Sequence, residues 1–195
     1  MTTKNRCGWC VGDPLYEAYH DTEWGVPLFD DRQLFEFLIL ETFQAGLSWI
    51  TILRKRENFR KAFDNFDYHK IAAFSEEKME QLMSDPGIIR NSLKIKASVA
   101  NAQAFLKVQE EYGSFSEYIW GFVNGKPIQN NLENYKKAPA TTELSMAISK
   151  DLKKKGFKFT GPTVVYAHMQ ATGMVNDHEI GCFRHNEVQN APGRP

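Results

Sequence analysis

Apolar residues along the 195-residue chain recur mostly at helical spacing, three and four apart, and no convincing alternating segment reads as a strand. Asp30 or Asp31 can cap a helix running to about Gln44, with Leu34, Phe35, Leu38 and Phe43 among its apolar positions. Gly46-Leu47-Ser48 breaks it, and Ser48 can cap the next helix, Trp49 to about Phe63. Short helices around 68–74 and 75–84 follow, stopped by Asp85-Pro86-Gly87. A long helix from about Arg90 to Tyr112 ends at Gly113, and 114–122 forms another short one. Residues 124–140, rich in Asn, Lys and Pro, read as an exposed connection. Thr142 caps a helix to about Lys155, and Gly161-Pro162 opens the last one, closed by Gly173. The tail from about Phe183, residues 184–195 above all, reads as frayed. The expected class is all-α, with residues 1–183 forming one unit of two intimate helical lobes.

This length buries a core without crosslinks. The first residues carry no signal-peptide core, and the most apolar run, Leu34 to Leu40, is interrupted by Glu36 and too short to span a bilayer. The expectation is a cytoplasmic protein, with no membrane partner and monomeric. Three cysteines cannot all pair, which in a reducing compartment favours metal binding over disulfides. Net charge is zero, but its distribution is uneven. Residues 1–50 hold eight acids against three bases, so the remainder is basic by five. Clusters stand at Arg54-Lys55-Arg56 with Arg60-Lys61, and at Lys153-Lys154-Lys155 with Lys158. Such patches serve phosphates even at neutral pI, and they equally fit solvated helix faces.

Chemistry concentrates near the two ends. The N-terminal segment carries Cys7, Trp9, Cys10, Tyr16, Tyr19, His20 and Trp24, and a distant complement runs Val175-Asn176-Asp177-His178 to Cys182. Zinc takes four Cys or His ligands in a tetrahedron. Compact spacing prefers Cys7-x-x-Cys10 with His178-x-x-x-Cys182. The rival set is Cys7, His20, His178 and Cys182, whose first pair spans twelve intervening residues, and His185 is a further candidate. Free buried thiols with hydrogen-bonded histidines remain the plain alternative. Four filled positions would make the ion structural and tie the termini together.

Tyr16 and Tyr19, three apart, share a face on a helical turn, with Trp9 and Trp24 flanking them. Glu41 interrupts an apolar stretch and lies eight residues before Trp49. A carboxylate on an apolar surface calls for a partner such as an exocyclic amine or a cationic base. An exposed Glu on the far helix face, and aromatics that are ordinary core, fit the same pattern. From Leu152 to Val164 the chain reads helix, glycine-bounded turn, helix. Gly156, Lys158, Thr160 and Gly161 lie in that turn, where backbone N–H groups and a helix N-terminus favour phosphate.

With these residues in place the chain closely resembles the 3-methyladenine DNA glycosylase I family, in the helix-hairpin-helix superfamily. The match spans about residues 6–182. It rests on Arg6-Cys7-Gly8-Trp9, Asp13-Pro14-Leu15-Tyr16, Tyr19-His20-Asp21, Glu23-Trp24-Gly25 and Gln44-Ala45-Gly46-Leu47-Ser48-Trp49. It continues with Lys55-Arg56-Glu57-Asn58, Gly87-Ile88-Ile89-Arg90, Phe122-Val123-Asn124, Gly156-Phe157-Lys158-Phe159 and Val175-Asn176-Asp177-His178. The resemblance implies excision of 3-methyladenine from alkylated double-stranded DNA by hydrolysis, with the free base as product. It implies one structural Zn2+ on Cys7, His20, His178 and Cys182, leaving Cys10 a bystander. Base recognition falls on Glu41, Tyr16 and Trp49, with Tyr19, Trp9 and Trp24 lining the neighbourhood, and the DNA grip on the hairpin from Gly156 to Gly161. Many superfamily members carry a catalytic Asp where this chain has Asn176, and no acid occurs from Lys158 through Asn176. Flipping the nucleotide and binding a cationic base selectively are then what the enzyme relies on, and no lysine nucleophile is implied.

Overall fold

The computed structural model describes residues 4–44 and 46–191. Met1 to Thr3, Ala45 of the corner motif, and residues 192–195 of the tail lie outside the described residues. The helices are α1 (Pro14–Thr22), α2 (Asp31–Gln44), α3 (Trp49–Ala62), α4 (Tyr68–Ala72), α5 (Glu76–Ser84) and α6 (Ser92–Tyr112). They continue with α7 (Phe115–Gly121), α8 (Glu143–Lys154), α9 (Pro162–Ala171) and α10 (Phe183–Gln189).

The second helix is the axis of the fold. Every residue from Leu34 to Phe43 is buried, Glu36 and Glu41 included. A helix apolar nearly all round must be enclosed, and α2 packs against α3, α6, α7 and α9. Asp30 caps it, its carboxylate accepting from the Gln33 amide at 2.9 Å. Asp31 instead reaches across to the start of α7, accepting from the amides of Phe115 (2.9 Å) and Ser116 (2.8 Å). The buried acid Glu36 is matched by Arg56 and Arg60 of α3, and Arg56 also pairs with Glu23 at 2.6 Å. The α4 and α5 helices pack on α6, which ends at Gly113.

The all-α expectation holds as a mostly helical fold with one departure. Ile128–Gln129 (β1) pairs in parallel with Val175–Asn176 (β2). Two residues are too few to leave an alternating signature, so the supposed connection 124–140 in fact carries an edge strand and a 3-10 turn at Tyr135–Lys137. The supposed frayed tail is also ordered over Phe183–Gln189, where His185 and Val188 are buried. Its start is tied to the N-terminal segment by a bond from the Phe183 amide to the Asn5 carbonyl, 2.9 Å. These contacts bring the start of α10 against the segment that leads into α1. Among the described residues no helix is long and apolar enough to cross a membrane.

Candidate base pocket, metal centre and hairpin

Asp13 starts α1 by accepting from the amides of Leu15 (2.9 Å) and Tyr16 (3.2 Å), ahead of Pro14 at the first helical position. That start fixes the rotation of the helix. Tyr16 and Tyr19 face a cavity of about 200 Å3, while the next residue, His20, faces away from it into a cluster of soft ligands. The cavity lies below the ~300–1,000 Å3 range of drug-sized pockets, a size suited to one flat bicycle. Trp9, Trp24, Glu41 and Trp49 complete the predicted set around it. Trp9 stands edge-on to Tyr16 (4.7 Å between ring centres) and to Trp24 (5.0 Å). Trp49, the first residue of α3, stacks on Phe37 at 6.4 Å, and the Arg56 guanidinium lies 5.0 Å from the other partner's ring centre. Ser48 stands at the N-cap of α3, its carbonyl accepting from the Thr51 amide at 3.0 Å, but its side chain caps no amide; the hydroxyl meets that of Thr51 instead, at 2.8 Å.

Glu41 sits in the last turn of α2, 4 % exposed, with no hydrogen-bond or ion-pair partner among the described residues. Burial pushes its carboxyl up to about 8. The negative end of its own helix opposes ionisation too. Among the described residues no Lys or Arg lines the cavity. The Tyr19 hydroxyl and the Trp49 indole N–H are likewise buried without a partner. A buried polar atom left unpaired costs about 1–3 kcal/mol, so three such groups around one cavity describe a place built for a guest. Burial also raises the Tyr16 phenol to about 12, with Cys10 and Glu41 adding to the effect, so Tyr16 stays a hydrogen-bond donor. A second cavity adjoins the first, sharing Glu41, Gln44 and Ala167 and reaching Leu47 and Thr163. The cleft thus runs out between the α2–α3 corner and the start of α9.

Sequence reasoning missed the far wall. Tyr135, Ala138, Ala167, Gln170 and Asp177 also line the cavity. Tyr135 and Ala138 belong to the stretch read as an exposed connection, and the β1–β2 pairing, the Leu132–Glu179 bridge and the bond from the Tyr135 amide to Glu179 (2.8 Å) bring it here. Asp177 had a signal, being adjacent to a predicted ligand, but its side chain serves the pocket rather than the metal cluster.

The four donor atoms of Cys7, His20, His178 and Cys182 lie within 4.8 Å of one another, all buried. Each histidine is oriented from outside. His20 turns Nε2 inward, 3.4 Å from the Cys182 sulfur, while its Nδ1 meets Asp21 at 2.9 Å. Asp21 is held in turn by two 2.9 Å bonds from Arg6. His178 turns Nδ1 inward and its Nε2 meets the Trp24 carbonyl at 3.0 Å. Such outer partners fix ring orientation in metal sites. Gly25 gives His178 its room: at φ +78°, a Cβ there would stand 2.9 Å from Nε2. The Cys7 and Cys182 thiols are tightly linked. The proximity of Cys182 raises Cys7, while Cys7 and the inward nitrogens of His178 and His20 lower Cys182. Two thiols and two inward imidazoles form a set that fits a tetrahedral ion. Cys10 is buried, its thiol donating to the Cys7 carbonyl at 3.2 Å, and stands outside the set. His185 is outside it as well.

Between α8 and α9 the chain turns through Gly156 at φ +99°. Asn101 of α6 pins the turn by exchanging bonds with the Lys158 amide (2.7 Å) and carbonyl (3.1 Å). Lys153, Lys154 and Lys158 are exposed, and Lys155 pairs with Glu111 at 2.9 Å. Thr160 is fully buried, its carbonyl accepting from Ser149 at 2.6 Å. It is therefore no surface contact, and the expectation that it touches DNA is corrected. The earlier basic cluster is largely consumed within the protein. Arg54 pairs with Asp13, Lys55 donates to the carbonyls of Pro86 and Gly87, and Arg56 and Arg60 pair with Glu36.

Residues 9–185 match the methyladenine glycosylase family. The chain is 51 % identical over 177 residues to DNA-3-methyladenine glycosylase 1 of Escherichia coli (strain K12), covering 91 % of this chain and 95 % of that one. Among solved structures it is similar to 3-methyladenine DNA glycosylase I from Staphylococcus aureus, described for its recognition of 3-methyladenine. That likeness has a TM-score of 0.90 at 38 % identity, with 98 % of this chain and 99 % of that one covered. A variant of a 3-methyladenine DNA glycosylase I in complex with 3-methyladenine is similar too, with a TM-score of 0.89 at 40 % identity over 92 % of this chain and 96 % of that one.

Proposed function

The chain belongs to the methyladenine glycosylase family, and from that premise we propose how its residues excise 3-methyladenine from DNA. The protein is a DNA-3-methyladenine glycosylase, and the observation that carries the mechanism is Glu41, a buried acid facing aromatic rings with no cation to pair with among the described residues.

A purine methylated at N3 is cationic within DNA, so it leaves as a neutral base. The damaged nucleotide turns out of the duplex into the cavity, at a cost of a few kcal/mol. Faces of Trp and Tyr attract a cation by about 0.5–2 kcal/mol each. Glu41 loses its proton to solvent on meeting the cation and accepts a hydrogen bond from the exocyclic amine. The bond between N9 and C1′ breaks, its electron pair passing to the purine. Water adds to C1′ and loses a proton to solvent, leaving an abasic site. Tyr16 and Trp49 hold the ring, with Tyr19, Trp9 and Trp24 around it. Their open cavity and the unpaired Tyr19 and Trp49 atoms support this assignment.

We read the α8–turn–α9 unit as a hairpin of the helix-hairpin-helix class that grips the DNA backbone through Gly156, Gly161 and Lys158. Its exposed lysines and the positive end of α9 support that reading. Cys7, His20, His178 and Cys182 would hold one Zn2+, which would supply a crosslink between the two ends of a single unit, residues 1–183, and no step of the reaction. Titrating the protein with free 3-methyladenine and with adenine, followed by tryptophan fluorescence, tests the pocket. Tighter binding of the methylated base is expected, and equal binding of the two would overturn the base-recognition role given to the cavity.

A further inference from the structure

The pocket has a second acid. Asp177 is 1 % exposed, lines the cavity, and is surrounded by donors. The Tyr166 hydroxyl donates to Oδ2 at 2.7 Å, Gln170 Nε2 to Oδ2 at 2.8 Å and Asn130 Nδ2 to Oδ1 at 2.8 Å. The mechanism above leaves this carboxylate without a task.

A carboxylate accepts and cannot donate. The side-chain amide of Gln170 is therefore fixed with its nitrogen toward Asp177, and its oxygen is the end left over. Gln170 itself lines the cavity from α9, and no donor to its Oε1 exists among the described residues. Glu41 stands on the α2 wall of the same cavity. Glu41, protonated when no cation is bound, can donate or accept, so the fixed acceptor of the pocket is the Gln170 oxygen. A purine bearing an exocyclic amine meets it with a donor, whereas a 6-oxo purine meets it with a carbonyl and leaves two buried acceptors facing each other.

We infer that Asp177 is a positioning residue that, by locking the Gln170 amide, makes the pocket prefer amino-purines over 6-oxo purines. This rests on the base-binding role of the cavity given above. Replacing Asp177 by Asn reverses the lock, because the new amide nitrogen can donate to the Gln170 oxygen and turn the Gln170 nitrogen into the pocket.

The test is competition by free 3-methyladenine and free 3-methylhypoxanthine for excision from methylated DNA. The wild-type protein should favour 3-methyladenine. Asp177→Asn should cut that ratio by about tenfold, the scale of one mispaired buried polar group. The double variant Asp177→Asn with Gln170→Glu restores an acceptor on the pocket side and should restore the ratio. An equal loss for both ligands, with the ratio unchanged, would show a structural role only and overturn the inference. Bound metal and thermal melting are followed alongside, since Asp177 adjoins His178. Should Asp177→Asn fail to fold, Gln170→Leu carries the test: it should lose the same discrimination, and full retention would refute the idea. A wild-type protein that releases no 3-methyladenine would instead sink the base-binding reading itself.

Discussion

Replacing Glu41 by Gln keeps the shape of the side chain and removes its charge, and three numbers set the expected effect. Burial raises the carboxyl from 4.5 to about 8, so at ~1.4 kcal/mol per unit the ionised form costs about 5 kcal/mol more in the empty pocket than in water. At pH 7 only about 1.4 kcal/mol of that remains to be supplied, because the group is one unit below its midpoint. A carboxylate and a cation ~4 Å apart attract by about 4 kcal/mol at an effective dielectric of ~20. The difference, about 2–3 kcal/mol, predicts that Glu41→Gln slows excision at low substrate by roughly 30–150-fold at pH 7. Inhibition by neutral adenine should barely change. The wild-type rate should climb about tenfold per pH unit below 8 and level off above it, while the variant's profile stays flat in that window.

Stability should move the opposite way. The folded protein holds the Glu41 proton more tightly than the unfolded chain does between pH 4.5 and about 8, so wild-type stability falls as pH rises through that window. Glu41→Gln escapes the loss. The two proteins should unfold alike near pH 4, and the variant should be more stable by up to about 5 kcal/mol at pH 8.5. Single-turnover excision and urea unfolding across pH measure both arms. A variant that excises within threefold of wild type, or that shares its pH profile, refutes the reasoning.

Other consequences are equally direct. Asp21→Asn removes the carboxylate that orients His20, and chelator competition should show metal binding about 10–100-fold weaker, with a lower melting temperature. Lys158→Ala should weaken DNA binding alike for all sequences and reduce the salt slope by about 1, while free-base binding, followed by fluorescence, stays as it was. Burial holds His168 down to about 4, its Nε2 meeting the Leu34 carbonyl at 3.0 Å. Its contribution is therefore full above pH 6.5 and is lost as pH falls through 4, up to about 3 kcal/mol. Wild type should lose melting temperature faster than His168→Gln over that interval, and parallel curves would contradict the assignment.

Residues that act through neighbours in sequence were legible. The capped helix starts, the Tyr16–Tyr19 face and the glycine-bounded hairpin follow from spacing alone, because helical geometry turns short separations into shared faces. The metal cluster was only half legible. Spacing favoured Cys10, yet Cys10 bonds back to the Cys7 carbonyl, while the rotation that points Tyr19 into the cavity swings the adjacent His20 into the cluster. The resemblance, not the spacing, pointed to His20. The far wall was illegible because two paired residues in β1 and β2 carry Tyr135 and Ala138 to the pocket. No local pattern encodes a contact made across that distance. Basic clusters misled for a related reason: Arg54, Arg56 and Arg60 look free in the sequence but meet acids from α2 and from the segments around α1.

The central claim is that this pocket selects a purine for its positive charge and releases it from DNA. Incubating the protein with DNA treated with a methylating agent, then identifying the free purines by chromatography, tests it most directly. Release of 3-methyladenine, with unmodified adenine left in place, is the predicted result. Release of no base, or of methylated and unmodified adenine alike, would contradict it.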